Sequence, residues 1–175
     1  EAGVGYILRD GLEIPPLMFY EEELEAIVLG IRIVESWADH GLASAATRAL
    51  RKIEAAIPDQ LRESMVNIPV NAPSNHWSEP IEIQRGALRR AIREKQKLSF
   101  TYHAKTGDRT ERTVRPLLLS FYGTIWNLTA WCELREDFRT FRLDLIRTPL
   151  FLDEHFDDEP GRRLADLMAR PAQER

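Results

Sequence analysis

Cysteine, histidine pairs and long apolar runs are all scarce in this 175-residue chain, and each shortage excludes something. Cys132 is the lone cysteine, so a disulfide framework and any Cys-x-x-Cys motif are ruled out; it reads as a small core residue of a cytoplasmic protein. His40, His76, His103 and His155 lie far apart, without His-Glu-x-x-His spacing, and no metal site stands out. The longest apolar stretch, 26–34, is broken by Gly30 and Arg32, well short of the ~20 residues that cross a bilayer. No basic-then-apolar leader suggests export. A glycine-rich phosphate loop after a strand is missing, as is Gly-x-Ser-x-Gly. The expectation is a protein that is not an enzyme, with no cofactor, no metal and no membrane partner. The first residue is Glu1 rather than methionine, which suggests a fragment whose upstream part is missing.

What is present is a globular composition, 43% hydrophobic and 30% charged, with a net charge of −4. The charge is unevenly spread. Residues 1–84 carry 14 acids and 6 bases, whereas 85–115 carry 10 bases against Glu94, Asp108 and Glu111. Such a segment is either a solvated helix face followed by an exposed hairpin, or a surface that attracts phosphate or another anion.

The periodicities divide the chain. Two short strands flank Asp10-Gly11, a hairpin signal, before Pro15-Pro16. From Glu21, Leu24, Ile27, Val28, Ile31 and Val34 follow helical spacing behind three first-turn glutamates, with Gly41 a plausible stop. A second helix, from about Ser44 to Ile57, places Ala46, Ala49, Leu50 and Ile53 on one face. These two helices suit an interhelical or intersubunit contact, and a homodimer is expected. Residues 58–78 have no sustained period and read as a connection. A third helix follows Pro80, with Ile81, Leu88, Ala91 and Ile92 inward.

Beyond Lys97 the pattern is all β. Strands are predicted over 98–102, 109–116, 117–121, 124–134 and 139–152, separated by Gly- and Asp-containing turns. The predicted fold is α+β: a helical linker followed by a small five-stranded SH3-like (Sm-like) β-barrel. The acids Asp157, Asp158 and Glu159 open a C-terminal tail expected to be solvated.

Recognition, rather than catalysis, is the chemistry these residues favour. On the fourth strand Trp126, Leu128, Ala130, Cys132 and Leu134 alternate onto an apolar face, while Asn127, Thr129 and Trp131 share the other. A ring beside guanidinium groups suits a nucleotide or single-stranded nucleic acid, the base stacking for ~1–3 kcal/mol and the cations holding phosphate. The candidate ligand site is therefore Tyr102, His103, Arg112, Asn127, Trp131, Arg139 and Arg142, with Arg142 opposed in parity to Arg139. The competing reading of Trp131 is that it packs beneath a neighbouring helix such as the one at 81–95.

"FTYHAKTGDRTERTVRPL" followed by "IWNLTAWCELREDFRTFRLDLI" resembles the WYL domain of bacterial transcriptional regulators. The family's Trp-Tyr-Leu appears as Trp126-Asn127-Leu128, and the last arginine of its Arg-Leu-Asp-Arg-Ile run is Leu145. Upstream, "GVGYILRDGLEIPPLMFYEEELEAIVLGI" looks like the wing and exit helix of a winged helix-turn-helix. The resemblance implies a wing remnant over 1–16, a helical linker or dimerisation region over 17–78, a WYL domain over 79–152 and a tail over 153–175. It further implies effector sensing by the barrel, with nucleotide or single-stranded nucleic-acid ligands, and DNA binding by the missing upstream helices. The alternatives are a stand-alone Sm-like module that binds RNA or single-stranded DNA, and a pure dimerisation module without ligand.

Overall fold

A computed structural model describes residues 18–58, 81, 83–123 and 125–170; the hairpin expected at 1–16 and nearly all of the 58–78 connection lie outside them. Helix α1 runs from Glu21 to Trp37, with its three glutamates in the first turn, where they complement the helix dipole. The Glu23 carboxylate accepts from the Tyr20 amide at 2.8 Å, satisfying one of the donors a helix start leaves free. Helix α2 runs from His40 to Ala56. Gly41, expected to stop the first helix, lies instead in the first turn of α2. The break falls at Ala38 and Asp39, and the Asp39 carboxylate caps the Gly41 and Leu42 amides at 3.1 and 3.2 Å. Leu24 and Val28, four apart on α1, pack against Leu50, Ile53 and Ile57. No residue of α2 is fully buried.

Helix α3 (Arg85–Arg93) leads into five antiparallel strands: β1 (Gln96–His103), β2 (Arg109–Tyr122), β3 (Ile125–Cys132), β4 (Asp137–Arg142) and β5 (Ile146–His155). Their order is β4-β3-β2-β1-β5. Two predicted boundaries are displaced. Pro116 does not separate two strands; it sits at a bulge between Pro116 and Leu118 within one 14-residue β2, where a missing amide donor is tolerated. The expected single strand over 139–152 is interrupted by a 3-10 turn at Leu143–Leu145.

That turn shows how strongly the sheet is bent. In a flat five-stranded sheet, edge strands β4 and β5 would lie roughly 19 Å apart, four spacings of ~4.8 Å. A 3-10 segment advances only ~2 Å per residue, so the link between them spans on the order of 8 Å. The sheet must curl until its edges approach at this end. No β4–β5 ladder closes it among the described residues, so the expected barrel is observed as a curled open sheet.

The concave face holds the main core. Leu98, Phe100, Val114, Leu128, Ala130, Cys132, Phe141, Leu143 and Ile146 meet Ile83 and Leu88 from the α3 region. Cys132 is fully buried, as its strand parity required. Leu134 is not part of this face: it lies past the end of β3 and is 63% exposed.

The convex face is covered as well. Trp131, only 8% exposed, packs with Phe138, Leu117, Leu164 and Leu167. The cover is the C-terminal segment, which therefore is no solvated tail. β5 extends to His155, Phe156 is buried, and α4 (Leu164–Met168) lies over Trp131. The expected acidic cluster supplies its fastenings. Asp158 pairs with Lys95 at 2.7 Å, and Glu159 pairs with the buried Arg115 at 2.7 Å. Arg115 also holds Glu133 at 2.8 Å. The guanidinium groups of Arg162 and Arg170 lie over the rings of Trp131 and Phe138, at 5.3 and 4.7 Å from the centroids. Trp131 is thus a packing residue under a helix, and that helix is α4 rather than the one predicted at 81–95.

Two outcomes are expected. Trp131→Ala should cost about 3–5 kcal/mol of unfolding free energy by denaturant titration, the range for emptying a large buried ring. The second concerns acid. Burial alone would raise the Asp39 carboxyl, but Arg89 and the Leu42 amide outweigh it and hold it below its ordinary 3.8. A depressed carboxyl contributes stability above its unfolded value that disappears as pH falls through the folded one. Thermal stability should therefore drop as pH is lowered past about 4, and Asp39→Asn should drop less over the same range.

Candidate ligand-binding groove

Residues paired directly across an antiparallel ladder share a face, which follows the concave surface beyond its apolar part. Arg112 stands opposite Phe100 and Thr110 opposite Tyr102; Phe141 stands opposite Leu128 and Arg139 opposite Ala130. The same face that buries Leu98, Val114 and Leu128 thus continues outward into Tyr102, Thr110, Arg112 and Arg139. There the core gives way to a groove of about 570 Å³, lined by Tyr102, Ala104, Asp108, Arg109, Thr110, Arg112, Arg135, Arg139, Thr140 and Phe141. That volume falls in the ~300–1,000 Å³ range of small-ligand sites.

The floor is aromatic and rigid. Phe141 meets Tyr102 and Phe100 edge-on, with centroids 5.1 Å away in both cases. The Tyr102 hydroxyl faces the Arg142 amide at 3.4 Å. The walls are basic: four arginines against the single acid Asp108, whose carboxylate accepts from the Thr106 hydroxyl at 2.9 Å. Among the described residues, Arg109, Arg112 and Arg135 have no carboxylate in ion-pair range, while Arg139 pairs with Asp137 at 2.8 Å and remains half exposed. Asp137 is shared, since Arg170 also reaches it at 2.9 Å. Burial would raise the Asp137 carboxyl, but Arg170, the Phe138 amide and Arg139 together hold it below its ordinary value. Like charges crowded without counter-ions are costly, and an anion in the groove would relieve that repulsion.

Of the predicted site, Tyr102, Arg112 and Arg139 meet in this groove. The others do not line it. His103 alternates to the opposite face from Tyr102. Asn127 stands opposite Arg142, on the face shared with Trp131. Arg142 is engaged by Asp144 through two contacts, 2.6 and 3.0 Å; Arg142 first of all keeps the Asp144 carboxyl ionised and low. Leu145 lies in the 3-10 turn, outside the groove lining. Arg109 and Arg135 were missed as individual residues. Arg109 belonged to the basic run at 85–115, but Arg135 sits in the β3–β4 turn with no periodic signal. Among the described residues, no group of three or more His, Cys, Asp or Glu side chains is placed to hold a metal ion. No described helix is long and apolar enough to cross a membrane.

A helix leading into a curled antiparallel sheet, with arginines at its mouth, occupies the stretch that carries the family resemblance. This stretch is a WYL domain: residues 86–149 match the family model described as "WYL domain". A relative from Bacillus subtilis (strain 168), named "Uncharacterized HTH-type transcriptional regulator YobV", is 28% identical over 140 residues. The match covers 78% of this chain and 44% of the relative, so the chain spans less than half of that protein's length. The solved proteasome accessory factor B/C (PafBC) of Arthrobacter aurescens is similar over 87% of this chain and 22% of its own, with 20% identity and a TM-score of 0.39.

If the groove takes single-stranded nucleic acid, Arg112→Ala and Arg139→Ala should each weaken binding of fluorescein-labelled hexathymidylate several-fold in anisotropy titrations. The loss should shrink as salt rises, because screening erodes the contribution that each charge makes. Arg142→Ala should change affinity far less.

Proposed function

We propose that this chain is the effector-sensing part of a bacterial DNA-binding transcriptional regulator, and that the arginine-walled groove binds a nucleotide or single-stranded nucleic acid. The observation that carries the reading is the groove's composition. Three arginines without carboxylate partners among the described residues surround an aromatic floor at the open end of the concave face. Phosphate would neutralise the walls and a base would lie against the rings, the combination that single-stranded nucleic acids require. The WYL domain over 86–149 and the regulator name carried by the Bacillus relative support a place in transcription control. On this reading the domain is non-enzymatic and cytoplasmic, its curled sheet is of the SH3-like kind, and DNA is contacted by a helix-turn-helix outside the described residues.

The helices α1 and α2 are proposed as the dimerisation region. Only Leu24 and Val28 are fully buried between them, and Ile33 remains 37% exposed, so apolar surface is left for a second copy. The deciding experiment is a titration comparing adenine and guanine nucleotides, hexathymidylate and hexauridylate, with light scattering of the same samples. The reading expects saturable, one-site, salt-dependent binding of at least one of these anions by a particle of twice the chain mass. Failure of all four at low salt would refute the ligand reading, and a monomer at every concentration would refute the dimer.

A further inference from the structure

The corner between α1 and α2 is held from outside, by three side chains of the WYL domain and its lead-in helix. Trp37 ends α1, and its carbonyl oxygen accepts from the indole N–H of Trp126 on β3 at 3.2 Å. The next carbonyl, that of Ala38, accepts from Nη2 of Arg85 at 3.2 Å. The next residue, Asp39, takes both Nε and Nη2 of Arg89 at 3.0 and 2.9 Å. Three consecutive residues thus each have one partner across the junction. The first two acceptors lie at the C-terminal end of α1, where a helix leaves carbonyls without internal partners. The third is the N-cap of α2. The WYL domain therefore completes the end of one helix and braces the start of the next.

Packing reinforces the polar contacts. The Trp37 ring lies 5.4 Å from Phe121, which lies 4.8 Å from Trp126. The Arg85 guanidinium stands over the Trp126 ring at 5.7 Å. Gly86 allows this close approach: a Cβ there would meet Asp39 Oδ1 at 3.2 Å, so the carboxylate would have to shift by a few tenths of an ångström. Trp126 and Phe121 stand opposite each other at the far end of β2, whose near end carries Thr110 and Arg112 in the groove. Groove and corner thus occupy the two ends of one concave face, with the main core between them.

We infer that Trp126, Arg85 and Arg89 are positioning residues that clamp the α1–α2 corner, so that the helical arm points in a direction set by the WYL domain. This rests on the regulatory reading only for what the arm leads to; the clamp itself needs no ligand. Because the native Cys132 is fully buried, nitroxide labels can be confined to two introduced cysteines, Lys52→Cys on α2 and Asp153→Cys on β5, both at exposed positions. Electron–electron double resonance on the full chain should give one narrow distance distribution. Adding Trp126→Phe, which keeps an aromatic ring but removes the indole N–H, together with Arg89→Gln, should at least double its width. Arg89→Gln alone, at a partly exposed side chain, provides the measurement should the double variant fail to fold. Far-UV circular dichroism should be retained by both variants. A distribution already broad before these substitutions, or one unmoved by them, would overturn the clamp. Hexathymidylate binding to the same proteins separates the two ideas: no binding with a narrow, clamp-dependent distance refutes the ligand reading and upholds the clamp.

Discussion

The curl of the β-sheet is the constraint on which the rest of the structure depends. A three-residue turn joins β4 to β5 although three strands lie between them in the sheet. This is possible only if the sheet wraps around its own concave face. Wrapping brings residues from all five strands together at one place, so Phe141 of β4 meets Phe100 and Tyr102 of β1 edge-on. It also makes one surface serve two purposes. Where α3 covers the concave side it is a dry core; where no described residue covers it, the same row of alternating positions becomes a basic mouth. The rigidity of the mouth is therefore borrowed from the core, since its floor residues are core residues.

Covering the convex face is a separate problem, solved by chain that follows the sheet. Arg115 would be costly as an isolated buried charge, but Glu133 and Glu159 meet it from two sides. Burial alone would lower the pKa of its guanidinium, and the two carboxylates more than reverse that. Trp131 and Phe138 then present ring faces to Arg162 and Arg170. The cation–aromatic geometry expected of a ligand site is thus present at Trp131, but the protein's own arginine provides the cation.

Local pattern was enough for much of this molecule. Helical spacing of Leu24, Val28 and the first-turn glutamates determined α1, and strand alternation identified Leu128, Ala130 and Cys132 as core. The turn residues separated the strands at Gly107 and Gly123, both of which adopt positive φ, at 94° and 65°. The basic run of 85–115 was legible as charge. These properties depend on neighbours within a few residues, and short-range geometry decides them.

Which face of the sheet would be free was a different kind of question. Alternation correctly assigned Trp126 and Trp131 to opposite faces, but it carries no information about what covers either one. In a barrel whose outer side met solvent, the non-core face would be the free one. In the folded chain the C-terminal helix α4 buries Trp131, while the concave face emerges at the mouth with Tyr102, Arg112 and Arg139. The same limit hid Arg135, which reaches the groove from a turn, and concealed the fastening role of Asp158 and Glu159. The sequence by itself determined which residues are apolar, which are charged and how they alternate. Contacts between segments separated by tens of residues decided which of those rows faced solvent, because covering a face is a property of distant chain brought into place by the curl.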